Sequence, residues 1–201
     1  ALCARKVSDR ERAALDLPSW RAAFSGAEPV RADTLHAFAR MFADTGFDGT
    51  SFRPCYGLAE ATLVVTSAPW DGRHDRDVPC GITAPGTRLV IVDATSGARA
   101  PDGDVGEIWV TGPGVAGGYW RREAETSRTF HATLSDDSSP YLRTGDLGRL
   151  VDGQLVVTGR QKDLLIVRGM KHFPQDLEAT VERSHPGIRH GCVAAFSTGR
   201  D

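Results

Sequence analysis

The stretch YLRTGDLGRLVDGQLVVTGRQKDLLIVRGMKHFPQDLE, residues 141–178, places unlike charges at the ends of short apolar runs. Its Thr-Gly-Asp sequence puts the carboxylate of Asp146 on a tight turn, and Arg160, Lys162 and Asp163 directly precede a strand-like run. A carboxylate accepts hydrogen bonds from sugar hydroxyls, and a guanidinium donates to sugar or phosphate oxygens. The stretch therefore predicts a ligand that carries hydroxyl and phosphate groups. The alternative is a set of exposed ion pairs, worth only about 0–1 kcal/mol each.

The same stretch carries signals for regular structure. The Asp-Gly pair at 152–153 suits a two-residue hairpin turn, because both positions accept a positive φ. The apolar run 164–167 predicts a strand, and the proline that follows predicts the start of a helix over 174–182. Leu177 and Val181 are expected on the buried side of that helix.

A second group of chemically useful residues lies in FRPCYGLAEATLVVT, residues 52–66. Tyr56 offers an aromatic face, Gly57 a turn and Glu60 a carboxylate. Mg²⁺ prefers such an oxygen when it also bridges phosphate groups. Taken alone, a glutamate after a glycine is usually a solvated surface charge.

A third segment, SGAEP at 25–29, follows the short apolar run 20–24, which predicts a buried strand. Gly26 and Ala27 carry little or no side chain and so expose backbone against which a flat ring can lie, and Glu28 follows them. The competing interpretation is an ordinary turn between a strand and a helix.

The remaining chain alternates short apolar elements with polar, glycine-rich turns. The segment 112–119 has many glycines but lacks the lysine and spacing of a phosphate-binding P-loop, which favours a structural loop. Cys192 is expected to be buried. The predicted elements are helices at 8–15, 31–42 and 123–130, strands at 87–94, 105–111 and 192–196, and a surface loop at 67–78.

Composition narrows the class of protein. Hydrophobic residues make up 40% of the 201 residues, enough for a core, and the net charge of -2 gives no basic field for nucleic acid. No run approaches the roughly 20 apolar residues that cross a bilayer. The four cysteines are scattered without metal-ligand spacing, which favours a reduced, cytoplasmic protein.

Together these motifs resemble the adenylate-forming superfamily, and within it the fatty-acyl-AMP ligases. The resemblance rests on TGDLG, GRQKDLLIVRG and HFPQDLEATVE, and on the upstream SWRAAFSGAEPVRADTL and PCYGLAEATLVV. It implies a mixed α/β (α+β) fold. Residues 1–160 would be the trailing part of the large adenylation domain, with a small β-rich subdomain at about 80–160. Residues 161–201 would begin the mobile C-terminal domain.

The resemblance also implies roles for single residues. The segment of Gly26, Ala27 and Glu28 would line the adenine pocket, and Tyr56, followed by Gly57, would stack on the base. Asp146 would bind both ribose hydroxyls and Arg160 would contact the same sugar. Glu60 would hold Mg²⁺, and Lys162 would lie at the hinge between the domains; these two are the residues given catalytic roles.

The implied reaction uses ATP to convert a fatty acid into an acyl-adenylate, and then passes the acyl group to the phosphopantetheine thiol of an acyl carrier protein or to CoA. Fatty-acyl-AMP ligases usually carry a longer insertion at 67–78, so its shortness here leaves CoA open as acceptor. A non-catalytic module that binds adenylates is the alternative from another class.

The chain reads as a piece of a longer protein. The resemblance places a pyrophosphate-binding loop before residue 1 and the catalytic lysine of adenylation after residue 201. None of the three lysines, Lys6, Lys162 and Lys171, matches that lysine. We therefore expect that these 201 residues alone do not adenylate a fatty acid.

Overall fold

The computed structural model describes residues 2–74, 77–189 and 191–198. The first part contains α1 (Leu2–Lys6), α2 (Asp9–Arg12), β1 (Ala23–Ser25), α3 (Ala32–Phe42), β2 (Phe52–Tyr56), β3 (Thr66–Ser67) and β4 (Ile82–Thr83). These four strands form one sheet in the order β1-β2-β3-β4, with β1 and β2 parallel and the other pairs antiparallel.

A second, antiparallel sheet follows. It is built from β5 (Arg88–Val92), β6 (Gly106–Thr111), β7 (Ala132–Leu134), β8 (Asp137–Val151) and β9 (Gln154–Arg160), and α4 (Glu123–Phe130) lies between β6 and β7. The strand order is β5-β6-β8-β7, and β9 also pairs with the long strand β8. The predicted hairpin turn at 152–153 joins β8 to β9, and Asp152 and Gly153 both have positive φ.

Alternation along β6 gives the second sheet an apolar layer on each face. Ile108 and Val110 are fully buried in a cluster that also holds Tyr56 and Leu142. Trp109 points to the other face and packs with residues such as Tyr141. Since successive strand residues face opposite sides, both faces of this sheet are covered.

The first sheet has its own core, built against α3. Leu35 and Phe42 lie two helical turns apart on one side of α3 and are each 2% exposed. Phe38 on the same helix contacts Trp20, Phe47 and Phe52 through ring edges. The 3.6-residue period of the apolar positions thus accounts for the helix predicted at 31–42.

The C-terminal part consists of the hairpin β10 (Leu165–Val167) with β11 (Met170–His172), followed by α5 (Pro174–Ser184). Its contacts with the preceding sheets include Phe173, which packs tightly over Gly159. An ion pair of 3.6 Å joins Arg31, just before α3, to Glu182 of α5.

Several element predictions are confirmed. Helix α4 has the predicted bounds, and α3 and the strands β5 and β6 lie within theirs. The predicted helix 8–15 begins correctly, with Ser8 and Glu11 forming a reciprocal capping box, but α2 ends at Arg12. The strand predicted at 20–24 lies at 23–25, because Trp20 packs its ring against Phe38 and Phe47 and donates Nε1–H to the Ala22 carbonyl.

The prediction that this strand is buried holds for Ala23 and is wrong for Phe24, which is 64% exposed, because successive strand residues face opposite sides.

Three predictions for the C-terminal part are wrong, and the first concerns the buried side of α5. Leu177 and Val181 are 38% and 44% exposed, because α5 meets the rest of the chain through Pro174 and Glu182 instead.

No strand forms at 192–196, and Cys192 is exposed. The backbone here bonds to side chains of α5 in place of a neighbouring strand: Ala195 N–H donates to Glu178 at 3.0 Å, and Gly191 N–H, just before the segment, donates to Glu182 at 2.6 Å.

No helix among the residues that the structure describes has the length and apolar character needed to cross a membrane.

Candidate functional site

Three side chains from distant parts of the sequence meet at one carboxylate. The Tyr56 hydroxyl donates a hydrogen bond to Oδ2 of Asp146 at 2.8 Å, and Nε of Arg160 donates to Oδ1 at 2.8 Å. Tyr56 ends β2 of the first sheet, whereas Asp146 and Arg160 lie on β8 and β9 of the second. We call this group the triad. It links the two sheets through the Tyr56–Asp146 hydrogen bond.

A bulge in β8 presents Asp146. Glu107 pairs with Leu147 and Trp109 pairs with Arg143, so one residue of β6 stands opposite three residues of β8. The extra residues form the Thr-Gly-Asp turn, in which Gly145 has a φ of +71°. Glycine suits this position because the conformation, rather than lack of space, disfavours a side chain.

The hydroxyl of Thr144 holds this turn together. It donates to the Ile108 carbonyl at 2.7 Å and accepts the backbone N–H of Asp146 at 3.1 Å. Backbone groups that the bulge removes from the regular ladder thus find partners, as buried polar groups require.

Sequence reasoning missed Glu107, which also contacts the turn. Its carboxylate accepts the Gly145 N–H at 3.2 Å and pairs with Arg143 at 2.8 Å. This charged side chain is buried within the apolar strand β6. The available signal was a lone glutamate inside the run VGEIWVT, a position where an unpaired charge is costly.

Arg160 faces Asp146 directly across the β8–β9 pair. Its side chain is 54% exposed, whereas that of Asp146 is 8% exposed. The alternative interpretation, an exposed surface ion pair, therefore fits Arg160 but not Asp146. The guanidinium of Arg160 extends toward solvent, whereas the carboxylate of Asp146 is almost fully shielded from it.

Tyr56 is buried, and desolvation raises the pKa of its hydroxyl well above the ordinary value, with the negative charge of Asp146 acting in the same direction. The phenol therefore stays protonated and donates to Asp146. Only 8% of the residue is exposed, so what the structure shows for Tyr56 is chiefly this hydrogen bond and a small part of the ring in the adjoining cleft.

The cleft beside the triad has a volume of about 1160 Å³. It brings together most of the residues predicted to bind nucleotide; its lining includes Ala27, Glu28, Tyr56, Gly57, Asp146 and Arg160. Helix α5 forms part of the opposite wall through residues such as Gln175 and Thr180.

Glycine is required at two predicted positions by close approach of backbone. A Cβ on Gly57 would lie 1.4 Å from the Leu63 carbonyl oxygen, and one on Gly26 would lie 2.7 Å from the Cys55 carbonyl oxygen. Gly26 is not among the residues that line the cleft, so it acts on the 25–29 loop by packing that loop against β2. Ala27 beside it has a φ of +69° and does line the cleft.

Glu60 and Lys162 lie on a smaller depression of about 420 Å³, which we call the outer depression. Arg160 lines both this depression and the cleft, so the two spaces meet at the triad. Glu60 accepts a hydrogen bond from the Tyr119 hydroxyl at 2.9 Å. The glycine-rich segment 112–119 therefore orients the Glu60 carboxylate through Tyr119. The sequence predicted only a structural loop there.

The residues present fit a magnesium ion shared with phosphate groups better than an all-protein metal site. No group of three or more His, Cys, Asp or Glu side chains is arranged to hold a metal within the described ranges. Mg²⁺ commonly uses one or two carboxylates together with phosphate oxygens and water, and Glu60 supplies one such carboxylate.

Comparison with known protein families identifies the chain. A family model described as AMP-binding enzyme matches residues 2–120, more than half of the sequence. The chain belongs to the AMP-binding enzyme family. A second model, described as the AMP domain of Disco-interacting protein 2-like proteins, matches residues 162–200.

Individual members of the AMP-binding family narrow the resemblance. The chain is 42% identical to the medium-chain-fatty-acid–acyl-carrier-protein ligase JamA of Moorena producens (strain JHB), over 96% of this chain and 38% of JamA. A solved structure from a study of fatty acyl-adenylate ligases of E. coli and L. pneumophila superposes with a TM-score of 0.85 and 35% identity, over 98% of this chain and 39% of that one.

An L. pneumophila fatty acyl-adenylate ligase in complex with acyl adenylate and pyrophosphate superposes with a TM-score of 0.74 and 38% identity, over 90% of this chain and 36% of that one. These matches confirm the predicted fold class and the resemblance to fatty-acyl-AMP ligases. The chain spans less than two fifths of the length of these relatives.

Proposed function

We propose that this chain forms the adenosine-binding side of a fatty-acyl-AMP ligase, an enzyme that activates a fatty acid with ATP and transfers the acyl group to a carrier protein. The observation that carries the proposal is the triad, in which Tyr56 and Arg160 hold the Asp146 carboxylate beside a cleft large enough to admit a nucleotide. JamA, named for ligation of a medium-chain fatty acid to acyl carrier protein, supports the choice of substrate and acceptor.

Asp146 binds the ribose in this proposal. A carboxylate has about four lone-pair positions, and the bonds from Tyr56 and Arg160 use one on each oxygen. One position on each oxygen is left for a ribose hydroxyl. The two neighbours fix the orientation of the carboxylate before the sugar arrives, so binding does not have to order it.

The base lies in the cleft, between the exposed part of the Tyr56 ring and the 25–29 loop. Gly26 keeps that loop close to β2, and Ala27 and Glu28 line the space. Gly57 allows the backbone after Tyr56 to approach Leu63 and so determines where the strand ends.

The phosphate groups extend from the ribose into the outer depression, since Arg160 borders both spaces. Glu60 holds Mg²⁺, which offsets the charge that develops on the phosphate oxygens as the fatty-acid carboxylate attacks the α-phosphate. Lys162, on the Gln161–Asp163 turn, serves as the hinge between the two domains.

The domain division is part of the proposal. Residues 1–160 belong to the large domain, with the β-rich subdomain at about 80–160, and residues 161–201 begin the mobile domain. The separate family matches at 2–120 and 162–200 support a division in this region. The proposed location is the cytoplasm, where ATP and carrier proteins are available.

The test uses the intact protein, ATP, Mg²⁺ and a series of fatty acids. We expect pyrophosphate release that requires the fatty acid, and formation of an acyl thioester on a holo carrier protein. Acyl-CoA formation in place of carrier loading would instead support CoA as acceptor, as the short connection between β3 and β4 allows. Tight binding of acyl-adenylate without pyrophosphate release would support the non-catalytic alternative.

A further inference from the structure

Glu107 is a buried charge in a strand that otherwise packs apolar residues. It is 2% exposed, and the three residues that follow it in β6 are also buried. A carboxylate in such a place destabilises a fold unless its oxygens are hydrogen-bonded. The partners of Glu107 therefore indicate what this charge does.

Those partners lie on one short run of β8. Oε2 of Glu107 accepts from Nη2 of Arg143 at 2.8 Å and from Nε at 3.1 Å, and Oε1 accepts the backbone N–H of Gly145 at 3.2 Å. Arg143 precedes the Thr-Gly-Asp turn and Gly145 is its middle residue. The carboxylate thus holds the turn at two points directly before Asp146.

The bulge explains why a side chain is needed there. Ile108 is the single β6 residue opposite residues 144–146, and its carbonyl is already used by the Thr144 hydroxyl. The Gly145 N–H then has no ladder acceptor, and Oε1 of Glu107 takes that place. Removing this acceptor leaves a part-buried backbone donor without its protein partner, and the turn then keeps only the two Thr144 hydrogen bonds as side-chain anchors.

We propose that Glu107 is a positioning residue for ribose recognition, which acts by fixing the turn that aims Asp146 at Tyr56, Arg160 and the sugar. This inference rests on the proposed function of the triad. Glu107 itself does not touch the nucleotide, because its two oxygens are turned toward Arg143 and Gly145.

The experiment measures how much the intact protein gains from the ribose hydroxyls. The readout is the ratio of the Kd for 2′,3′-dideoxy-ATP to the Kd for ATP, for wild type, Glu107→Ala and Glu107→Gln. Two hydrogen bonds to a charged acceptor predict a wild-type ratio of at least about 100. In Glu107→Ala we expect this ratio to fall about 10-fold, since the turn that carries Asp146 loses one of its anchors and the carboxylate shifts away from the sugar hydroxyls.

Glu107→Gln keeps an oxygen that can accept the Gly145 N–H, so most of the ratio is expected to return. Leu134→Ala is the matched control for lost stability, because Leu134 is buried in the same sheet near the opposite end of β8. We expect its ratio to equal that of wild type even if its Tm falls as far as that of Glu107→Ala.

A lower Tm of Glu107→Ala with an unchanged ratio would overturn the inference and leave the proposed function standing. A wild-type ratio near 1 would overturn the ribose assignment itself. If Glu107→Ala does not fold, Glu107→Asp replaces it, because the shorter side chain keeps the charge but draws the oxygen away from Gly145. A ratio for Glu107→Asp that equals the wild-type ratio would then contradict the inference.

Discussion

The triad and the outer depression meet at Arg160, yet the chain builds them to very different degrees. Asp146 is nearly buried and receives hydrogen bonds from two side chains of two sheets. Glu60, in the outer depression, accepts a side-chain hydrogen bond from Tyr119 and is itself only partly buried. The proposed sugar-binding side is therefore organised by the chain itself, whereas the proposed phosphate-binding side has fewer protein contacts to fix its carboxylate.

Replacing Asp146 gives the largest expected effect and tests whether the triad is the organised side. In Asp146→Ala the ribose loses its charged acceptor, and each such hydrogen bond contributes about 1.5–3 kcal/mol. We expect the affinity for AMP and for ATP to fall by at least about 100-fold. Isothermal titration calorimetry on both nucleotides measures it.

Asp146→Asn is the matched control, because it retains the shape of the side chain but not its charge. Its loss is expected to lie between wild type and Asp146→Ala. Equal affinities of all three proteins would show that the triad does not bind the nucleotide.

Glu60→Ala separates the outer depression from the triad. If Glu60 acts through Mg²⁺ and phosphate, its removal should weaken ATP binding about 10-fold in the presence of Mg²⁺. Binding of AMP without Mg²⁺ should not change. A titration of ATP with and without Mg²⁺ provides the measurement, and an equal loss for AMP would contradict the division into two sides.

A smaller change removes only the Tyr56 hydroxyl. Tyr56→Phe keeps the ring and leaves Asp146 with Arg160 as its remaining triad partner, so we expect the affinity for AMP to fall about 5-fold, the usual value of one hydrogen bond. Tyr119→Phe is the counterpart at Glu60, and it should affect ATP with Mg²⁺ but not AMP. If both variants weakened the binding of AMP and of ATP with Mg²⁺ equally, the triad and the outer depression would not have separate roles.

The pH dependence of the free energy of unfolding tests whether burial raises the pKa of the Tyr56 hydroxyl. Below a pH of about 10 Tyr56 is protonated in both folded and unfolded protein. Above that pH the unfolded chain loses the proton while burial retains it in the fold, so stability should fall by about 1.4 kcal/mol per pH unit from this group.

Tyr56→Phe lacks this group and should show a shallower loss between pH 10 and 11. Urea unfolding at several pH values compares the two proteins, and the starting stability of each does not matter because only the slopes are compared. Identical slopes would mean that the Tyr56 phenol ionises as readily in the fold as in the unfolded chain.

The contrast also marks what sequence could predict. Asp146, Arg160 and Tyr56 stand in recognisable motifs, so the sequence alone predicts that these three residues belong to the candidate site. The resemblance implied that the three side chains share one nucleotide, but their bonds to one another were not predicted, since Tyr56 and Asp146 are 90 residues apart. Local patterns do not specify which strands of different sheets meet.

Glu107 lay beyond such reasoning for a related reason. Its function depends on the register between β6 and β8, where one residue opposes three. Hydrophobic alternation places a strand and its faces but does not reveal a bulge in its partner. For the same reason the exposure of Leu177 and Val181 was missed, because helical period gives a face and not the element that covers it.

The most direct measurement of the central claim is a crystal structure of the intact protein with a non-hydrolysable acyl-adenylate analogue. We expect both ribose hydroxyls within about 2.5–3.0 Å of the Asp146 carboxylate, with Tyr56 and Arg160 still hydrogen-bonded to it. An adenosine bound elsewhere, or a sugar that contacts none of these three side chains, would contradict it.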